Sequence, residues 1–346
     1  LALINDTSHK KIANLIYRDG GNLITNDMRP AMELNDIPFA DYEVFIRNDK
    51  DTLYRPMCGT IYKTISLETQ RGCPFKCSFC NSASNNPLYK EETGSTFFRK
   101  KDMSRLAEEL DYMISTINPE LVYFVSDVFL LMTDREFDEF YEVYSSYKIP
   151  FFMQTRSETI TEYRVRKLEE LNCLRANVGL EHGNEQFRRD VVKRKLKDVE
   201  ITRAFNIIGS SSISTAANNI IGFPTETREL IFDTINLNRK IKHGVDSVSC
   251  FIFSPYHGLP SRKLAVEKGY LSPDRLADTN TLNSSILEMP DLTNETLRGL
   301  QRTFTMYVRF PRSRWDEIRM AEDFSPEGDK VFERLSEELR QDYVVG

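Results

Sequence analysis

The sequence lacks any apolar run of the roughly 18 or more residues that would span a bilayer. Its first thirty residues also lack the charged-then-apolar pattern of a secretory leader. A cytoplasmic location is the expectation. A basic excess is missing as well: 46 Lys and Arg face 52 Asp and Glu, for a formal net charge of −6. Phosphate binding needs a basic surface that displaces counterions, so a nucleic-acid partner is not expected. The short basic runs RKK at 99–101 and KRKLK at 193–197 have no interleaved aromatic platform and read as solvated surface. Histidine is scarce, and its four copies at 9, 182, 243 and 257 are scattered. Cysteine is scarce too. Six in 346 residues cannot build a disulfide framework, and three of them crowd into RGCPFKCSFC at 71–80, which points to metal ligation in a reducing compartment. Cys58, Cys173 and Cys250 stand alone and read as small buried thiols.

What is present is a chain that can bury a core, with 40% apolar and 28% charged residues. Six short runs rich in β-branched and aromatic residues read as strands: TISLET (64–69), LVYFV (121–125), PFFMQ (150–154), RANVGL (175–180), ISTAANNIIG (213–222) and DSVSCFIF (246–253). Amphipathic helical patterns separate them at 101–115, 134–147, 161–171, 197–208 and 226–241. Thr133 is placed to cap the second of these, with Asp134 and Glu136 near the positive end of its dipole. Alternation of this kind demands right-handed crossovers and a parallel sheet. About six units are available where a closed barrel uses eight. The expected fold class is therefore α/β, an incomplete (β/α)6 parallel barrel at residues 61–256. A connector with a DG/GG-turned hairpin is expected at 1–60, and a helical extension with an acidic tail at 257–346.

In parallel α/β folds chemistry gathers at the carboxyl ends of strands. The cysteine segment follows the first expected strand, Ser126 and Asp127 the second, Gln154 to Arg156 the third, Glu181 the fourth, and the GFP at 222–224 the fifth. A closed zinc site wants four ligands, usually as two pairs, and no second pair exists here, although a distant His or Cys could complete one. Electron-carrier clusters likewise use four thiolates. Three thiolates leave one iron open to a substrate or cofactor.

The C-x3-C-x2-C spacing of Cys73, Cys77 and Cys80, with Phe79 before the last, resembles the radical S-adenosylmethionine (radical SAM) superfamily. The resemblance implies a 4Fe-4S cluster on those three cysteines, with S-adenosylmethionine chelated at the fourth iron. One-electron reduction of that cofactor then yields a radical that attacks a C–H bond of the substrate. By the same resemblance Phe79 packs near adenine, Glu181 meets the ribose hydroxyls, Arg194 meets the cofactor's carboxylate, and Gly222 lies in a turn that approaches adenine. The GGE-like motif of many members is replaced by VSDVF, in which Asp127 would receive the cofactor's amino group or act as a cap or turn residue.

The segments NLIYRDGGNLITNDMRPAMELNDIPFADYEVF and SPYHGLPSRKLAVEKGYL look like the cobalamin-dependent branch, in which methyl transfer is the commonest outcome. No D-x-H-x-x-G cobalamin string is present, and the chain opens LALINDTSHKK without Met, so a cobalamin-binding domain is expected upstream. The implied partners are a small-molecule or biosynthetic-intermediate substrate and an external flavodoxin- or ferredoxin-type electron donor. A cobalamin-independent radical enzyme performing rearrangement, cyclisation or sulfur insertion, and a non-catalytic metal-binding module, remain the alternatives.

Overall fold

In the computed structural model, which describes residues 9–47, 50–277 and 284–345, the strand-helix alternation becomes one curved sheet. Its strands are β1 (Tyr54–Met57), β2 (Thr60–Leu67), β3 (Leu121–Phe124), β4 (Phe151–Arg156), β5 (Cys173–Glu181), β6 (Ser214–Ile221) and β7 (Ser247–Ile252). Across the sheet the order is β7-β6-β5-β4-β3-β2-β1, so each strand pairs with its neighbour in the chain. All pairs from β2 to β7 are parallel, while β1 folds back antiparallel on β2. Six parallel strands in strict order, with helices around them, make the expected incomplete barrel.

The anticipated helices form at Met103–Ile117, Asp134–Tyr144, Glu162–Glu170, Asp198–Gly209 and Arg228–Ile241. Thr133 caps the second through a reciprocal box: Glu136 N–H donates to its hydroxyl at 3.2 Å, and Thr133 N–H donates to the Glu136 carboxylate at 2.6 Å. That helix turns Phe137, Phe140 and Tyr144 onto the sheet. Phe140, Tyr144 and Phe151 surround the ring of Phe124 edge-on, with centroids 5.4–5.7 Å away. Such pairs add about 0.5–1.5 kcal/mol each beyond area burial. Emptying the centre with Phe124→Ala would cost about 3–5 kcal/mol.

The N-terminal hairpin forms as expected from Ile16–Asp19 and Asn22–Thr25, and Gly20 and Gly21 supply positive φ values of 55° and 88°. Strand β1 was not anticipated, because it is short, exposed at Tyr54, Arg55 and Pro56, and carries a proline that only an edge strand tolerates. Its turn into β2 corrects the reading of Cys58 as a buried thiol. Cys58 is exposed, with φ 48° beside Gly59 at 79°, in the two-residue turn. Cys173 is buried as expected, and Cys250 is partly so.

The RKK run is likewise not solvated. Arg99 and Lys101 are buried, and Lys101 pairs with Glu109 on the first amphipathic helix. In KRKLK, Lys193, Lys195 and Lys197 are exposed while Arg194 and Leu196 point inward and are buried. At the far edge the helix Asn294–Arg309 covers β7. Gln301 and Thr305 donate to the β7 carbonyls of Cys250 and Val248 at 3.1 and 3.3 Å, so groups that an edge strand would leave open are engaged.

Candidate functional site

The segment bearing the three cysteines leaves β2 through the short strand Gln70–Arg71 and ends at Cys80, the N-cap of a helix over Asn81–Thr93. That helix escaped the periodicity reading because it has no buried residue and carries Pro87 internally. Gly72 opens the segment at φ 87°, where a Cβ would lie 2.8 Å from the Phe97 carbonyl oxygen. Side chains from several elements then fix the path. Asp127, after β3, accepts from Gly72 N–H at 2.7 Å and from the Ser82 hydroxyl. Asn86 donates to the Cys73 carbonyl at 2.5 Å and accepts from Phe98 N–H at 3.0 Å. Ser78 donates to Val192 through its N–H at 3.0 Å and to Val191 through its hydroxyl at 2.7 Å, and its own carbonyl accepts from Ser261 N–H at 3.1 Å.

Cys73, Cys77 and Cys80 line one cavity of about 140 Å³. Phe79, Asp127, Glu181 and Arg194 line the same cavity, so all the sequence-predicted site residues meet there except Gly222. Gly222 lies behind it at φ 84°, where an added Cβ would meet Leu297 at 3.1 Å. Its N–H and that of Phe223 donate to one oxygen of Glu226 at 2.5 and 2.9 Å, while the other oxygen meets His182 Nε2 at 3.0 Å. The glycine thus belongs to a turn held by a buried carboxylate. The turn presents Phe223 edge-on to Phe79, with centroids 5.7 Å apart.

Sequence reading gave no role to Arg156 or Glu158, yet they organise the charges. Arg156, the last residue of β4, donates from Nη1 to Cys77 Sγ at 3.0 Å and lies over the Phe75 ring with its guanidinium carbon 3.8 Å from the centroid. Glu158 accepts from Arg156 Nε at 2.8 Å and from Arg194 Nη2 at 3.2 Å. Arg194 Nη1 in turn donates to Glu181 at 3.2 Å. Burial pushes the Glu158 carboxyl up, but Arg194 and Arg156 outweigh it and hold the group below its ordinary value. For Glu181 burial wins over the same guanidiniums and the carboxyl is raised. Gly179 leaves the space that the Glu181 carboxylate fills; a Cβ there would overlap its Oε1. The one advance signal was QTRSE, which puts Arg156 and Glu158 two residues apart at a strand's carboxyl end.

The donor set fits an iron–sulfur cluster. Three soft sulfur donors share a cavity wall, and an arginine N–H already meets one sulfur. Burial pushes the Cys73 thiol up to about 11. Arg194 Nε is buried and has no hydrogen-bond partner among the described residues, a donor left for an acidic ligand. Among the described residues no three His, Cys, Asp or Glu side chains close on a single point as one ion would require. No described helix is long and apolar enough to cross a membrane.

Residues 67–237 match the radical SAM superfamily. The chain belongs to that superfamily of enzymes, and its half-barrel is the superfamily's partial barrel. An uncharacterized methyltransferase of Pyrococcus horikoshii is 24% identical over 316 residues, which cover 89% of this chain and 63% of that protein. The fold is similar to the cobalamin-dependent S-adenosylmethionine radical enzyme OxsB, solved with aqua-cobalamin and S-adenosylmethionine, at TM-score 0.65 and 13% identity over 99% of this chain and 53% of that one. It is also similar to the radical S-adenosylmethionine methyltransferase TsrM of Kitasatospora setae, solved with cobalamin and a [4Fe-4S] cluster. That match has TM-score 0.55 and 13% identity over 79% of this chain and 52% of that one. The chain thus spans less than two thirds of each.

Proposed function

We propose that this chain is the radical core of a cobalamin-dependent enzyme that reductively cleaves S-adenosylmethionine to act on an unactivated C–H bond, with methyl transfer as the reaction class. The observation that carries the reading is the meeting of three thiols with Asp127, Glu181 and Arg194 in one cavity at the carboxyl edge of the sheet. Cys73, Cys77 and Cys80 would hold a 4Fe-4S cluster, which when bound supplies the single electron that breaks the sulfonium C–S bond. The chain's own side chains bind and orient the cofactor. Arg194, buried to 2% exposure and carrying an unpaired Nε, is suited to a carboxylate. Glu181 offers acceptor oxygens to a vicinal diol. Phe79, backed edge-on by Phe223, gives an aromatic surface for a base. Asp127 accepts from Gly72 and Ser82 and so holds the cysteine segment in place, and its carboxylate keeps acceptor capacity for the cofactor's amino group.

The relative's name and the two similar folds support methyl transfer with cobalamin. Residues 9–47 form a hairpin and single turns rather than a cobalamin-sized fold, but they expose Ile12, Ile16, Leu23, Met32 and Val44, each 44–63% accessible. Apolar exposure of that density suits a surface covered by a further domain. Residues 1–60 would serve as the connector to that domain, 61–256 as the radical core and 257–346 as a helical extension.

The test is anaerobic reconstitution with iron and sulfide, then incubation with S-adenosylmethionine and a strong reductant, with and without hydroxocobalamin. Cleavage of the cofactor is expected in this chain. Cleavage without any response to cobalamin in a protein extended upstream would move the assignment to a cobalamin-independent enzyme, and no cleavage at all would remove the radical reading.

A further inference from the structure

We infer that Arg156 is a positioning residue that sets the reduction potential of the cluster through the sulfur of Cys77, and that Glu158 and Phe75 exist in the site to aim it. The inference rests on the proposal that Cys73, Cys77 and Cys80 hold a cluster.

Three contacts fix the guanidinium in one pose. Its Nη1 lies 3.0 Å from Cys77 Sγ, inside hydrogen-bonding range for sulfur. Its guanidinium carbon sits over the Phe75 ring 3.8 Å from the centroid, where a planar guanidinium can stack and a lysine ammonium cannot. Its Nε donates to Glu158 at 2.8 Å. Arg156 is 9% exposed, so little water screens its charge from the sulfur. The parallel register brings this about: Arg156 ends β4 opposite Gly179 of β5, and the cysteine segment lines the same cavity at that edge.

Hydrogen bonds to cluster sulfurs and burial are among the determinants of cluster potential. Reduction adds negative charge to the cluster and its thiolates. A fixed cation donating N–H to one of those sulfurs stabilises the reduced state more than the oxidised one, and so raises the potential. Glu158 tempers the cation and ties it to Arg194, which reaches Glu181 at 3.2 Å. Arg156 therefore joins the cysteine that would carry an iron to the charges proposed to grip the cofactor.

The experiment is an EPR-monitored redox titration of the reconstituted chain, with iron and sulfide counted in every sample, for the native protein, Arg156→Met, Arg156→Lys and Phe75→Leu. Arg156→Met is expected to keep its cluster and to lower the equilibrium constant for one-electron reduction about tenfold, a shift of about 59 mV to more negative potential. Arg156→Lys keeps the charge but loses the fork and the stacking, and is expected to fall between Met and native. Phe75→Leu, which leaves Arg156 in place on a poorer platform, is expected to shift the potential the same way by a smaller amount. A full cluster in Arg156→Met with less than about a twofold change in that constant would overturn the inference. Loss of the cluster in both Arg156 variants, with the native chain loaded, would also overturn it by making Arg156 a structural residue. A native chain that takes up no cluster would instead remove the reading of the site on which the inference stands.

Discussion

Removing Glu226 should be felt strongly without touching the cysteines. Its side chain and that of His182 are both 0% exposed. One oxygen accepts from the Gly222 and Phe223 amides and the other meets His182 Nε2, so one carboxylate satisfies three buried polar groups. Glu226→Ala leaves two amide donors and an imidazole nitrogen without that partner. Each buried donor left bare costs about 1–3 kcal/mol, and breaking a buried pair by deleting one member costs about 3–5 kcal/mol. The expected loss is about 3–5 kcal/mol, well above the roughly 1 kcal/mol of an ordinary substitution. Glu226→Gln keeps one acceptor oxygen and should lose about 1–2 kcal/mol. Urea unfolding followed by circular dichroism, comparing midpoints at an unchanged slope, gives the order native, Gln, Ala. If Glu226→Ala unfolds within about 0.5 kcal/mol of native, the carboxylate is not what holds the turn behind Phe79.

Gly179→Ala should act on the cofactor more than on the fold, because the new methyl meets the ends of the Glu181 and Arg194 side chains and not backbone, and displaces that ion pair. S-adenosylmethionine affinity measured by calorimetry is expected to fall about tenfold, the equivalent of one charge-assisted hydrogen bond, with the unfolding midpoint nearly unchanged; unaltered affinity would take Glu181 out of the binding site. Cys58 is exposed whereas Cys173 is buried, with its thiol pushed up by burial. Brief maleimide treatment of the folded chain followed by peptide mapping should therefore label Cys58 and spare Cys173, and the reverse order would contradict the turn at Cys58–Gly59.

What the sequence made legible was whatever repeats a local physical pattern. LVYFV lies in a sheet covered on its outer face, so its apolar character is nearly continuous, while RANVGL alternates, with Ala176 and Val178 buried and Arg175 and Asn177 only partly so. Asp134–Tyr144 announced itself by its cap and its aromatic stripe. Asn81–Thr93 did not, because it packs by polar side chains such as Asn86 and offers no apolar face. Cys58 was misjudged because burial was inferred from residue type, whereas the positive-φ turn decided the matter. RKK was misjudged because the carboxylate that permits Lys101 to be buried lies on the next helix, at Glu109.

The site divides the same way. The three cysteines, Phe79, Asp127, Glu181 and Arg194 follow from motif and strand order, and the cavity gathers them. The contact of Arg156 with Cys77 joins residues 79 positions apart and depends on how β4 registers against β5. No local pattern encodes it. Gly222 was expected in a turn that approaches adenine; the structure gives it a positive φ and places the carboxylate of Glu226 behind the turn.

The central claim is that Cys73, Cys77 and Cys80 together carry an iron–sulfur cluster with no other protein thiolate. Its most direct test is iron and acid-labile sulfide counted per chain after anaerobic reconstitution, in the native protein and in chains with serine at each of the six cysteines. About four irons and four sulfides are predicted for native and for the Cys58, Cys173 and Cys250 variants, with loss in each of the other three. One zinc per native chain, or equal loss on replacing Cys58, Cys173 or Cys250, would contradict it.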